Sequence, residues 1–206
     1  CAIIYTARNE SGGKGTMENK INRSTLTSHG PRGVTVKSEK ELDHMREAGR
    51  VVAQAKARLA ESVVPGITTA ELDRIAEQEI RRLCAVPSFK GLYGFPATVC
   101  ISLNEEVVHG IPSSRVVKHG DVIGLDVGAV VDGFHADSAF TIAVGEAPAE
   151  TARLIDATRE ALRLGIAEAQ AGARVGDISA AVQRYGESMG SEEHTSELQS
   201  HPNLGC

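Results

Sequence analysis

The chain has no tryptophan, and three tyrosines and four phenylalanines are its only other large aromatics. A core of ordinary density must therefore be built from Val, Ile, Leu and Ala. Apolar runs are short; none approaches the roughly 20 residues that cross a bilayer. The opening Cys1-Ala2-Ile3-Ile4-Tyr5 is apolar but has no basic lead-in and is too short for a secretory signal. Cysteine is sparse. Cys1, Cys84, Cys100 and Cys206 show no paired spacing, which fits a reducing cytoplasm better than a disulfide framework. Positive charge is in deficit, with 22 Lys and Arg against 27 Asp and Glu. No basic stripe is present, so phosphate-tracking nucleic-acid binding is not expected, nor is a membrane partner.

What is present falls into three zones. Residues 1–33 are polar, rich in Gly, Ser, Asn and Thr, and without a hydrophobic period; we read them as a disordered or non-native extension, with Met17 the candidate start. Residues 34–190 hold every periodic segment and are long enough for one cored domain. Residues 191–206 are polar again. No internal repeat is visible.

The middle zone opens on a short expected strand, Val34-Thr35-Val36. Ser38 with Glu41, and later Thr68 with Glu71, form capping boxes that start two helices. Leu42, Met45, Val52, Ala55 and Leu59 lie on one side of the first. Leu72, Ile75, Ala76, Ile80 and Leu83 trace the second, with Glu79 the one charged member. A glycine-punctuated loop follows from Phe89 to Pro96. Strands are expected over Ala97–Leu103, over Glu105–His109, and over Val122–Val131 and Phe134–Val144 joined by Asp132-Gly133. Asp-Gly between two strand-like runs is the strongest short hairpin signal. Helices are expected from about Ala149 to Ala171 and Asp177 to Met189.

The hairpin permits a deduction. If Asp132-Gly133 is a two-residue turn, Val131 faces Phe134 and Asp137 faces Gly128. Asp126 lies two residues from Gly128 and so points to the same side. Asp126 and Asp137 become diagonal neighbours with Cβ atoms roughly 7 Å apart. Such carboxylates can hold oxygens around two cations about 3.5–4 Å from each other. The plain alternative is a pair of solvated aspartates. Against it stand the apolar flanks of Asp126, where an unpaired carboxylate is costly. A one-residue bulge would separate the two and defeat the deduction.

Among histidines, His109 precedes Gly110-Ile111-Pro112 at an expected strand end, where it could donate to a substrate carbonyl or serve structure alone. His135 shares the face of Asp137 as a rim residue. His29, His44 and His119 read as surface. Phe89-Lys90-Gly91-Leu92-Tyr93-Gly94-Phe95-Pro96 suits an apolar side-chain pocket or a loop that plugs the core, and Cys100 could line the same pocket or pack as a small hydrophobe.

Taken together, several motifs resemble bacterial type I methionine aminopeptidase. They are Gly94-Phe95-Pro96, Val107-Val108-His109-Gly110-Ile111-Pro112, Gly120-Asp121-Val122, Leu125-Asp126-Val127 and Gly133-Phe134-His135-Ala136-Asp137-Ser138. Lys37-Ser38-Glu39-Lys40-Glu41 with Met45-Arg46-Glu47-Ala48-Gly49-Arg50 looks like that family's first helix. The likeness covers about residues 34–190, which it makes part of the catalytic domain. It implies the α+β "pita-bread" fold: a curved antiparallel sheet with helices outside. It also implies a metal-dependent hydrolase that removes the initiator methionine from nascent chains in the cytoplasm, with transient ribosome association as a further expectation. By the resemblance, Asp126 and Asp137 are two of five ligands to two divalent ions (Co, Mn, Fe or Zn). His109 contacts substrate, and Phe89, Leu92, Phe95 and Cys100 line the methionine pocket. Leu92 stands where the family usually has an aromatic.

The family's remaining His and two Glu ligands lie on later segments, including a Gly-His-Gly-Ile-Gly stretch, that this sequence does not contain. Ser191 to His201 resembles the translated product of a sequencing-library adapter. We therefore expect a truncated, inactive fragment ending in an assembly artefact, and read the spacing of His194, Glu197 and His201 as accidental. Two rivals share the fold. Proline-specific aminopeptidases or dipeptidases usually carry an Arg soon after the second Asp, and Asp137-Ser138-Ala139-Phe140 has none. A non-catalytic binding protein would tend to lose the ligands, and both Asp are kept.

Overall fold

The structure is a computed structural model that describes residues 35–190. The expected extension at 1–33, Val34, and the tail at 191–206 lie outside the described residues. The chain divides into two compact units at Glu146/Ala147.

In the first unit, Ser38 caps helix α1 (Glu39–Ser62) and Thr68 caps helix α2 (Thr69–Arg82), each with its Glu three residues on closing the box. Each box satisfies backbone donors that the first helical turn leaves unpaired. Four strands follow: β1 (Val86–Pro87), β2 (Val99–Leu103), β3 (Val122–Val131) and β4 (Phe134–Ala143). All pair antiparallel with β3. Because β4 occupies one edge of β3 along its whole length, β1 and β2 lie end to end on the other edge, against Val130–Ala129 and Val127–Ile123 respectively.

Register then sorts residues onto two faces. Val99, Val127 and Ser138 form one cross-strand row; Ile101, Leu125 and Phe140 form the next; Leu103, Ile123 and Ile142 the third. These rows meet Ala48, Val51, Val52, Ala55 and Leu59 of α1 and Leu72, Ala76 and Ile80 of α2 in one core. The opposite face carries Cys100, Ser102, Gly124, Asp126, Gly128, His135, Asp137, Ala139 and Thr141.

Three sequence expectations need correction. Glu105–His109 is a turn and irregular chain, not a strand. Val36 joins no strand and Thr35 makes only an isolated bridge. Val86–Pro87, too short to show a period, pairs with β3 as an unexpected strand.

The second unit is a helical hairpin, α3 (Ala149–Ala167) and α4 (Val175–Ser188). It closes on small residues: Ala161, Gly165 and Ala181 are buried, and a Cβ on Gly165 would come within 2.8 Å of Val182 Cγ2.

Candidate functional site

The β3–β4 turn is the source of the site's geometry. Asp132 (φ 48°) and Gly133 (φ 81°) both adopt positive φ, the two-residue turn that matches strand twist. The ladder runs unbroken for ten pairs from Val131↔Phe134 to Val122↔Ala143, with no bulge. Gly128 faces Asp137 and Asp126 faces Ala139. The two aspartates are thus diagonal neighbours on one face, as the hairpin required, and their carboxyls share a hydrogen bond.

That arrangement is electrostatically unfavourable without a third party. Burial, then the hydrogen bond with Asp126, then the charge of Asp126 push Asp137 up to about 7. Oδ1 of Asp126 is buried without any hydrogen-bond partner. A buried carboxylate oxygen left unpaired is among the costlier states a fold retains. Two hard oxygen donors, one orphaned, fit divalent cations. Among the described residues, however, no group of three or more His, Cys, Asp or Glu is placed to hold a metal. The pair is a partial ligand set.

The surroundings sharpen the picture. Cys100 is the register partner of Asp126. Burial, then the charges of Asp126, Asp137 and Asp73, push its thiol up to about 12, so it is not a thiolate nucleophile. His135 is half-buried, with its pKa lowered by that burial. Its Nδ1 lies 3.1 Å from Ser88 Oγ. Lys56 of α1 approaches from the helix-covered face. It donates to Ser138 Oγ at 2.7 Å and to the Ala139 carbonyl at 3.2 Å, and its ammonium lies 5.2 Å from the Phe140 ring centroid.

His109 is exposed, with φ 60°. It is not a strand end. Its place is set by Gly110, whose carbonyl accepts from Ile101 N at 2.8 Å and whose N–H donates to Ser102 Oγ at 3.2 Å. A Cβ on Gly110 would lie 2.1 Å from the Ile101 carbonyl oxygen, so only glycine can dock there.

The expected pocket residues scatter in exposure. Cys100 is buried, Phe89 and Phe95 are half-buried, and Leu92 is exposed in a 3-10 turn spanning Leu92–Gly94. The Phe89 ring packs over Gly128. At the loop's far end, Asp73 Oδ1 accepts from Thr98 N (2.8 Å) and Val99 N (2.9 Å).

Lys56, Asp73 and the Ser88–His135 pair went unnoticed in the sequence. Lys56 alone left a local signal, a charge between Val52, Ala55 and Leu59 on the apolar stripe of α1.

The profile of metallopeptidase family M24 matches residues 43–202. The chain is 46% identical over 158 residues to a methionine aminopeptidase of Clostridium acetobutylicum, covering 76% of this chain and 63% of that one. To methionine aminopeptidase 1 of Bacillus subtilis it is 48% identical over 152 residues, covering 74% and 61%. The crystal structure of methionine aminopeptidase from Thermotoga maritima superposes with a TM-score of 0.74 at 37% identity, covering 76% of this chain and 64% of that one. The chain thus spans somewhat over three-fifths of the length of these curated relatives.

Proposed function

This chain belongs to metallopeptidase family M24 and has part of its pita-bread fold, and from that premise we propose that it carries one portion of an aminopeptidase that removes N-terminal methionine from new polypeptides. The observation that carries this reading is the carboxylate pair. Asp126 and Asp137 share a hydrogen bond on one face, and the buried, unpartnered oxygen of Asp126 suits coordination of a divalent cation. All three relatives named above are called methionine aminopeptidases.

In this reading Asp126 and Asp137 hold two divalent cations, of which Co, Mn, Fe and Zn all suit such ligands. Cations bound there would supply the positive charge that makes water acidic near neutral pH and polarises a scissile carbonyl. The remaining work falls to the chain's own groups. Gly128, the register partner of Asp137, has no side chain, and the Phe89 ring seats against its backbone as an apolar wall beside the carboxylates. His109, held on the outer edge of β2 by Gly110, presents an imidazole that positions the peptide bond by hydrogen bonding. Phe89, Leu92, Phe95 and Cys100 offer an apolar wall for an unbranched side chain. The thiol stays protonated and contributes bulk rather than a nucleophile. Among the described residues no helix is long and apolar enough to cross a membrane. The reading places the parent enzyme in the cytoplasm, acting on nascent chains and meeting the ribosome transiently.

Two ligands do not make a complete site. We expect the 206-residue chain to bind Mn2+ weakly and to hydrolyse no Met-Ala peptide. A chimera extended with the corresponding C-terminal segment of the Bacillus subtilis relative is expected to cleave Met-Ala peptides, and Asp126→Asn or Asp137→Asn to abolish that cleavage. Undiminished turnover in either variant would remove these residues from the site.

A further inference from the structure

The loop joining β1 to β2 leaves the sheet at one well-defined point. Pro87 still pairs with Ala129. The next residue, Ser88, donates its N–H to the Gly128 carbonyl at 3.0 Å, and strand alternation turns its side chain to the carboxylate face. There Ser88 Oγ meets His135 Nδ1 at 3.1 Å. His135 reaches the same spot from β4, two residues before Asp137 and on the same face.

Phe89 follows directly. Its ring lies so close to the backbone of Gly128 that a Cβ there would come within 2.6 Å of Phe89 Cε1 and 2.9 Å of Cζ, and within 2.8 Å of Ser88 Cβ. Gly128 is the register partner of Asp137, so this ring is seated beside the carboxylate pair. Beyond it the loop is closed on itself: Leu92 N bonds Phe89 O at 2.9 Å, Phe95 N bonds Leu92 O at 2.9 Å, and Gly91 N bonds Phe95 O at 2.8 Å. Asp73 ties down its far end. Lys90 also ties the loop to α2, donating to Glu77 Oε2 at 2.7 Å, while on the carboxylate side the loop is held at its near end. The side-chain bond made there is the one between Ser88 and His135, residues 47 apart in sequence.

We propose that Ser88 and His135 form a clasp that sets how far the Phe89 ring stands from Asp137, and so determine which side chains the apolar pocket admits. Both are positioning residues; neither is required to touch the scissile bond. The inference rests on the pocket reading above and deepens it. Without the clasp, Ser88 keeps its backbone bond to Gly128, so the strand stays in place. What is released is the direction in which the Phe89 ring leaves it. A looser wall admits more shapes and grips the fitting one less.

The chain's four phenylalanines make the test direct. With fluorophenylalanine incorporated into the 206-residue protein, Phe89→Leu assigns one of four fluorine resonances. In Ser88→Ala and in His135→Ala that resonance is expected to move towards the position of a solvent-exposed ring, while those of Phe134 and Phe140 stay put. His135→Gln, which can still bond Ser88, should restore it. A Phe89 resonance unmoved in both alanine variants, or one that moves together with all the others, overturns the clasp. L-methionine amide is then the probe of the pocket. It should shift the Phe89 resonance of the parent protein, and its preference over L-alanine amide should fall about tenfold in the alanine variants, the low end of what an apolar pocket contributes per methylene. If methionine amide leaves the parent's Phe89 resonance unmoved, the pocket reading fails; the ligand-free spectra still decide whether the clasp positions the ring.

Discussion

Strands β3 and β4 present alternate residues to two different environments. On the helix side, Ile123, Leu125, Phe140 and their neighbours mesh with α1 and α2, and Leu125 is 1% exposed. On the other side the same strands carry two aspartates sharing a hydrogen bond, an orphaned carboxylate oxygen, two glycines, and exposed Ala139 and Thr141. One face is filled and chemically satisfied. The other is notched and electrostatically strained. The period of two in a strand lets a single hairpin serve both, because adjacent residues never compete for the same side. Folding stability should reside in one set and ligand response in the other.

The largest effect expected is on the filled face. Leu125→Ala removes a fully buried side chain between Ile101 and Phe140 and should cost about 2–5 kcal/mol in urea unfolding. Thr141→Ala, on the opposite face, should stay within about 0.5 kcal/mol. Comparable losses from the two would erase the distinction. Gly128→Ala tests the boundary between them. The new methyl meets the Phe89 ring at 2.6 Å and Ser88 Cβ at 2.8 Å, so the loop must give, at about 1–3 kcal/mol by unfolding midpoint. The same variant should displace the Phe89 fluorine resonance, which Leu125→Ala should not do while the protein remains folded.

The contrast also marks what could be read from sequence. Both capping boxes and the Asp132-Gly133 turn were legible because their causes are local: Ser38 needs only Glu41, Thr68 only Glu71, and the turn needs two residues that tolerate positive φ. The turn fixed the register, and the register put Asp126 and Asp137 on one face. Contacts between distant segments were not legible. Glu105–His109 has strand-like composition, yet Gly110 docks on the backbone of Ile101 and the chain before it turns outward, leaving Val107 87% exposed. Ser88 gives no hint of His135, nor Asp73 of Thr98. Lys56 could have been noticed as a charge on an apolar stripe, but not its partner Ser138.

Apart from the Thr141→Ala control, the smallest effect expected is the most specific to the carboxylate face, and its sign follows from linkage. Asp137 is raised from 3.8 to about 7, by burial first, then by the hydrogen bond and the charge of Asp126. Between those two pH values the folded chain keeps a proton that the unfolded chain has released. Stability contributed by this group therefore falls as pH rises across the window and levels off above about 7. Asp137→Asn cannot ionise and removes the fall. At pH 8 the variant should be more stable than the parent by about 1 kcal/mol, a figure well below the full shift because water reaches the pair and screens it. Near pH 4, where the parent's Asp137 is already neutral, the gap should close. Subtracting urea midpoints of parent and variant at each pH cancels the carboxylates that both share, including the helix-capping Glu41 and Glu71, whose pKa values are lowered by their bonds to Ser38 and Thr68. A gap that is the same at pH 4 and pH 8 would mean that Asp137 titrates as an ordinary surface carboxylate, and that the two faces differ in packing but not in electrostatic strain.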